Sequence, residues 1–383
     1  MLCWLPAFVT SMAGENFFIS HLGMDHRMTK RLKITEIAAL TGLSISTVSR
    51  VLAGKANTSE QAREQVRQCA ERLGVMEGMA AGRLLLNELV VFAPQRAFDE
   101  RSDIFYYRVI QSISRALAPH DVRLRYCALE EQDSDANLFL NRINEPRTEA
   151  AMLLGIDDPH IHELAVDVGK PCLLINCRTR DMRLPAVAPD HRATGECAAR
   201  YLFSMGHRSV LNLLCLRRYT MELRLAGILD AWRGANLAFD EANHLLVADS
   251  FAASESEALI SEWLARTPRE ALPTAILAGG DFMAAGVVRA LTRAGLKVPQ
   301  DMSVMSIDGA NLSAMGDTPL TALQVPRDEL GEEAVHMLQQ RLIRPQAPVS
   351  TLLLHGKLVV YDSVRRIRGG RAPHGVRAAG LYD

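Results

Sequence analysis

Residues 33–52, KITEIAALTGLSISTVSRVL, leave few ways to fold. Ile34, Ile37, Ala38 and Leu40 recur at helical spacing, so a first helix has one apolar face to bury. Gly42, within Thr41-Gly42-Leu43, gives the backbone freedom that a sharp turn between helices requires. Ser44 offers a side-chain oxygen to cap a second helix running to Leu52. On that helix Val48, Val51 and Leu52 make an apolar stripe against the first. Ile45, Ser46, Ser49 and Arg50 fall on the opposite side, where hydroxyls and a guanidinium suit base edges in a major groove. The pattern predicts a helix-turn-helix.

Residues 53–57 read as a loop, after which Thr58 or Ser59 opens a third helix with Ala62, Val66, Cys69, Ala70 and Leu73 as its buried stripe. Thr58 with Gln61 has capping-box spacing, and Gly74 supplies the stop. Charge agrees with this division. Between Met28 and Leu73 eight Lys/Arg face four Glu, a surplus of +4, whereas the whole chain carries −1, which leaves −5 elsewhere. A basic head on an acidic body favours phosphate contact at one end only.

From Glu88 onward apolar runs alternate with amphipathic stretches. Strand candidates fall at 89–93, 122–127, 151–156, 172–176, 210–214, 244–247, 275–278 and 303–307, with helical segments such as 106–117, 198–204, 221–232 and 282–292 between them. Strands apolar throughout and separated by helices predict parallel sheets covered on both faces. The pattern restarts after Asp190, which predicts two doubly wound lobes at about 88–190 and 191–320. Residues 320–325 are then expected to cross back between lobes, and 351–354 with 358–361 to close a hairpin.

Leu43-Ser44-x-x-Thr47-Val48-Ser49-Arg50-Val51-Leu52 resembles the head-piece signature of the lactose/galactose-repressor family of bacterial transcription regulators. The likeness runs over residues 33–364. Its landmarks in the body include Met205-Gly206-His207-Arg208, Arg224-Leu225-Ala226-Gly227, Gly280-Asp281-x-Met283-Ala284-x-Gly286 and Pro319-Leu320-Thr321. The resemblance implies an all-α helix-turn-helix head at 31–74 and a hinge linker at 75–87. It further implies a two-lobed α/β body at 88–364, similar to periplasmic sugar-binding proteins. Residues 1–30 lie outside the family pattern; a later start at Met24 or Met28 and a disordered extension are both open readings. Residues 365–383, rich in Arg and Gly, are expected to form a mobile tail.

Matched residue by residue, the resemblance implies that Ile45, Ser46 and Arg50 face bases, while Ser44, Thr47, Ser49 and Asn57 hold phosphates. Leu84 matches the linker position whose side chain wedges into a minor groove. The linker departs from the family, however. Val75-Met76-Glu77-Gly78 stands where the family has Tyr-x-Pro-Asn, and Gly78 and Gly82 each weaken a helix by about 1 kcal/mol. In the body, Asp190, Arg224, Asp281 and Asp308 match positions that contact an effector or organise the cleft. Arg224 is a forked donor for hydroxyls or a carboxylate, and Asp308 an acceptor pair. Asp281 reads equally as a helix N-cap, since Gly280 replaces the family's Asn, and Asp190 also reads as a surface turn residue.

No nucleotide-binding glycine loop, HExxH or GxSxG elbow is present, and His160-Ile161-His162 reads as solvated helix-start residues rather than metal ligands. The expectation is therefore a regulator, with neither enzymatic activity nor cofactor. Its expected partners are a pseudo-palindromic operator duplex, a small-molecule effector of the sugar class and a second copy of the chain, because the tail lacks the heptads of tetramer formers. A solute-binding protein without a DNA role is the alternative, and it explains only the body. Seven scattered cysteines without a CxxC pair, and no apolar run of membrane-spanning length, place the chain in a reducing cytoplasm.

Overall fold

The computed structural model describes residues 26–52, 58–73, 86–120, 122–178, 181–309 and 319–367. Two units result, a helical head and an α/β body.

The head has helices α1 (His26–Thr41), α2 (Ile45–Leu52) and α3 (Glu60–Arg72). Gly42 takes φ +69° between the first two, a left-handed turn that suits glycine. Ser44 accepts a hydrogen bond from the Thr47 N–H at 3.0 Å and so caps α2. Ile37, Val48 and Val66 are fully buried, with Ala38, Val51, Ala62, Cys69 and Ala70 around them. One expectation differs here. Leu40 is 60% exposed, because the buried face of α1 turns through Ile37 and Ala38. Of the two residues expected to open α3, Ser59 caps it, accepting from the Ala62 N–H at 3.2 Å.

In the body, lobe one contains β1 (Glu88–Ala93), α4 (Ile104–Leu117), β2 (Arg123–Ala128), α5 (Ala136–Ile143), β3 (Ala150–Leu154), α6 (Pro159–Asp167), β4 (Cys172–Ile175) and β5 (Ala186–Pro189). Lobe two contains α7 (His191–Ser204), β6 (Val210–Leu214), α8 (Tyr219–Gly234), α9 (Glu241–His244), β7 (Leu245–Val247), α10 (Ala253–Arg266), β8 (Ala275–Ala278), α11 (Asp281–Arg293), β9 (Ser303–Asp308) and β10 (Thr321–Gln324). The chain then returns to lobe one through α12 (Arg327–Ile343) and β11 (Thr351–Leu354), and ends in lobe two with β12 (Lys357–Val359).

The sheets run β2-β1-β3-β4-β5-β11 and β7-β6-β8-β9-β10-β12, the same winding twice. Every pairing is parallel except β10 with β12. Strand periodicity explains the apolar runs. Leu89 and Val91 pack with Val109, Ile113 and Leu330 on one face, and Val90 and Phe92 with Phe139, Ile143 and Ile161 on the other. Both faces are covered, so both sets of alternating residues are apolar.

Three readings change. β5 was not among the expected strands, since Pro185 and Pro189 bracket only Ala186-Val187-Ala188 and hide it. The return expected over 320–325 begins only after Gln324, because 321–324 is itself a strand on β9. β11 and β12 form no hairpin. They pair with different sheets, and His355 and Gly356 carry the chain across. The three crossings lie together: the Asp190 N–H donates to the Leu354 oxygen at 2.8 Å, and a Cβ on Gly356 would stand 2.8 Å from the Gln324 oxygen.

Candidate functional site

On the head, α2 divides cleanly. Val48 and Val51 are buried, while Ser44, Ile45, Ser46, Ser49 and Arg50 are exposed, Ile45 at 55%. A single exposed isoleucine is ordinary on a surface, but here it sets an apolar contact beside hydroxyls and a guanidinium. The hydroxyls beside it are already ordered: Ser44 Oγ lies 2.8 Å from both Ser46 Oγ and Thr47 Oγ1, at the helix N-terminus where orphan N–H groups favour an anion. Arg50 Nε donates to the Ser46 oxygen at 3.3 Å, which lays the side chain along the helix. Asn57 and Leu84 lie outside the described residues.

In the body, a cavity of about 420 Å³ opens between the lobes at the carboxyl ends of the strands. Strand order reverses beside β1 and β6, so neighbouring loops diverge and leave a crevice there. Lobe one contributes Arg96, the start of α4 from Arg101 to Tyr106, and Asn176; lobe two contributes His191, Arg217, Arg218, Arg224 and Asp308 together with the segments 250–253 and 280–283.

A chain of hydrogen bonds crosses this cavity. Arg224, almost fully buried, donates from Nη2 to Asp308 Oδ1 at 2.6 Å and from Nη1 to the Gly279 oxygen at 2.6 Å. Its Nε donates to His191 Nδ1 at 3.1 Å, so that nitrogen accepts and the ring proton sits on Nε2, which donates to Asn176 Oδ1 at 2.7 Å. Asn176 passes the chain on to the Tyr106 hydroxyl at 3.1 Å. Burial, with the charge of Arg224 added, holds His191 well below the usual histidine range and therefore neutral. Asp308 and Asn176 both sit at positive φ, +94° and +53°, at the end of β9 and just beyond β4. Backbone held in such conformations clusters at binding sites.

Arg218 joins the lobes more directly. It projects from lobe two into lobe one, where Nε meets Asp157 Oδ2 at 3.0 Å, Nη2 the Asn176 oxygen at 2.7 Å, and Nη1 the Tyr106 hydroxyl. Burial pulls its pKa down, to about 9, which leaves it charged at neutral pH. Glu131 draws three guanidinium groups: Arg96 at 2.7 Å, Arg217 at 2.9 Å and Arg218 at 3.2 Å. Asp103 caps α4 through the Tyr106 N–H and pairs with Arg96, yet burial pushes its carboxyl up to about 6.

The head region, residues 33–75, matches the family model described as bacterial regulatory proteins, lacI family, and residues 199–364 match a periplasmic binding protein-like domain. The chain thus joins a lacI-family head to a periplasmic binding protein-like domain. Among curated relatives, the HTH-type transcriptional repressor CytR of Escherichia coli K12 is 24% identical over 87% of this chain and 96% of its own. The ribose operon repressor of the same organism is 26% identical over 81% of this chain and 93% of its own. Among solved structures, a transcriptional regulator CelR–cellobiose complex superposes with a TM-score of 0.63 at 21% identity, covering 86% of this chain and 99% of that one.

Of the body residues expected at the site, Arg224, Asp281 and Asp308 line the cavity and Asp190 is not among its lining residues. Asp190 caps α7, accepting from the Ala193 N–H at 2.9 Å, at a lobe crossing. Asp281 is the first residue of α11, with Gly280 at the cap, and it accepts from Ser306 Oγ at 2.5 Å and the Gly309 N–H at 3.1 Å. Sequence reasoning overlooked Arg218, Arg96, Asn176, His191 and Tyr106. The signal for Arg218 was present: Arg217-Arg218 stands after one strand and opens the next helix, at a lobe's binding end. Its acidic partners are 61 and 87 residues upstream, and no local pattern links them. His160 lies at the start of α6, and His162 Nε2 lies 2.7 Å from the Ile156 oxygen.

Proposed function

We propose that this protein is a ligand-responsive, sequence-specific DNA-binding regulator, a repressor of an operon for carbohydrate uptake or breakdown, acting in the cytoplasm as a homodimer on a pseudo-palindromic operator. The observation that carries the reading is the exposed face of α2, an isoleucine, ordered hydroxyls and an arginine set against an opposite face buried through Val48 and Val51. Relatives named as a transcriptional repressor and a ribose operon repressor support the repressor role. Ile45 contacts a thymine methyl, Ser46 and Arg50 read base edges, and Ser44, Thr47, Ser49 and Asn57 fix the phosphates. Leu84, one from each copy, wedges the minor groove.

A small molecule held by Arg224 and Asp308 stabilises one arrangement of the lobes, and the dimer passes that choice to the spacing of its two linkers. A coupling of about 1–3 kcal/mol is the usual scale for such a device. Asp190 belongs to the crossing between lobes, so its part is in lobe movement, and Asp281 shapes the wall beside Asp308.

Arg50→Ala should lose about 1–3 kcal/mol of affinity for a selected duplex and much of its preference over random duplex, since a guanine loses its forked donor. Fluorescence anisotropy at fixed salt reads both quantities. An Arg50→Ala protein that discriminates as well as the parent would remove Arg50 from base reading.

A further inference from the structure

We infer that the cleft takes an anionic ligand: a hydroxylated ring compound bearing a carboxylate or a phosphate. This rests on the cleft being the effector site.

Five guanidinium groups line the cavity, and its acids are already engaged. Asp281 accepts from Ser306 and Gly309, Asp103 from Arg96 and the Tyr106 N–H, and Asp308 holds Arg224 through Oδ1. Glu131 is shared by Arg96, Arg217 and Arg218 on this side of the cleft, with Asp103 as a second partner of Arg96 and Asp157 of Arg218. That leaves donor capacity in excess. Arg217 is half exposed with Glu131 as its one ion-pair partner among the described residues, and Arg101 has none among them.

Backbone donors add to this surplus. α8, α10 and α11 all begin at the cavity, from Arg218, Ala252 and Gly280, and none has a side-chain cap. The first N–H groups of such helices have no intrahelical acceptor, and their dipoles favour negative charge. A cavity that meets arginines with three uncapped helix starts is built for an anion rather than for a neutral sugar alone. The ring has its own place. Phe105, Tyr106, Phe251 and Phe282 supply flat apolar walls, while Arg224 with the open oxygen of Asp308 pairs with neighbouring hydroxyls. Gly280 keeps that oxygen reachable: a Cβ there would stand 3.4 Å from Asp308 Oδ2.

Thermal shift and calorimetry on the full chain test this with matched probes: glucose against glucuronate and glucose 6-phosphate, ribose against ribose 5-phosphate, and inorganic phosphate alone. The expected result is a raised melting temperature with one charged probe, at an affinity at least tenfold above its neutral parent. Arg101→Gln, which breaks no ion pair, should cut that affinity about tenfold and leave the ligand-free melting temperature unchanged. Carboxylate and phosphate arms tell the two sources of negative charge apart. Neutral parents binding as tightly as the charged probes would overturn the inference while leaving the effector-site reading standing, as would charged binding untouched by Arg101→Gln. No shift with any charged probe would also overturn it, and duplex binding by the same preparation would show whether the regulator reading fails with it.

Discussion

Arg218→Ala should destabilise the body by about 3–5 kcal/mol, the scale for removing one partner of a buried ion pair. Arg218 and Asp157 are each at most 7% exposed, and the guanidinium reaches three lobe-one groups from lobe two. The loss is chiefly the cost of leaving Asp157 buried beside the gap, since Glu131 keeps Arg96 and Arg217, so pairing the change with Asp157→Asn should recover a substantial part of it. Urea unfolding of the full chain, followed by tryptophan fluorescence, reads the difference. A loss below about 1 kcal/mol would mean that the lobes do not depend on this residue for their contact.

Gly227→Ala should act on stability and on the cleft together. α7 and α8 cross with backbones nearly touching: a Cβ on Gly227 would stand 1.9 Å from the Arg192 oxygen, and one on Gly195 2.1 Å from the Arg224 oxygen. Backbone cannot step aside as a side chain can, so the helices must part. Overpacking of this kind costs about 1–3 kcal/mol and sometimes more. Arg224 lies one turn earlier on α8, so the same displacement should draw its guanidinium away from Asp308 and His191. Gly234→Ala, at the end of the same helix, meets nothing within 4 Å and should be neutral or stabilising by up to about 1 kcal/mol. Equal melting temperatures for the two variants would refute the crossing as a constraint.

The difference between these residues also explains what was legible in the chain. The head could be read from 20 consecutive residues because its signals are local: Gly42 makes the turn, Ser44 caps the Thr47 N–H three positions on, and Val48, Val51 and Leu52 repeat at helical spacing. The repeated α/β winding showed in the alternation of apolar runs with helices, since both sheet faces are covered. What stayed hidden depends on distance along the chain. β5 is four residues between prolines and makes sense only with β4 and β11 on either side. β11 and β12 look like a hairpin until their partners 165 and 37 residues upstream are known, at Ala186 and Ala322. In the cleft, Arg224 and Asp308 were legible by resemblance. The latch around Arg218 was not, because Glu131, Asp157 and Asn176 come from three separate loops of the other lobe.

The claim that binds head to body is that the chain reads a two-part operator as a dimer. Repeated selection of duplexes from a random pool by the full chain, at a fixed ionic strength near physiological, tests it most directly. The account predicts enrichment of an inverted repeat whose half-sites lie about one helical turn apart, lost when the same selection is run with Arg50→Ala. A pool that stays random, or that converges on an unrepeated site indifferent to Arg50, would contradict it.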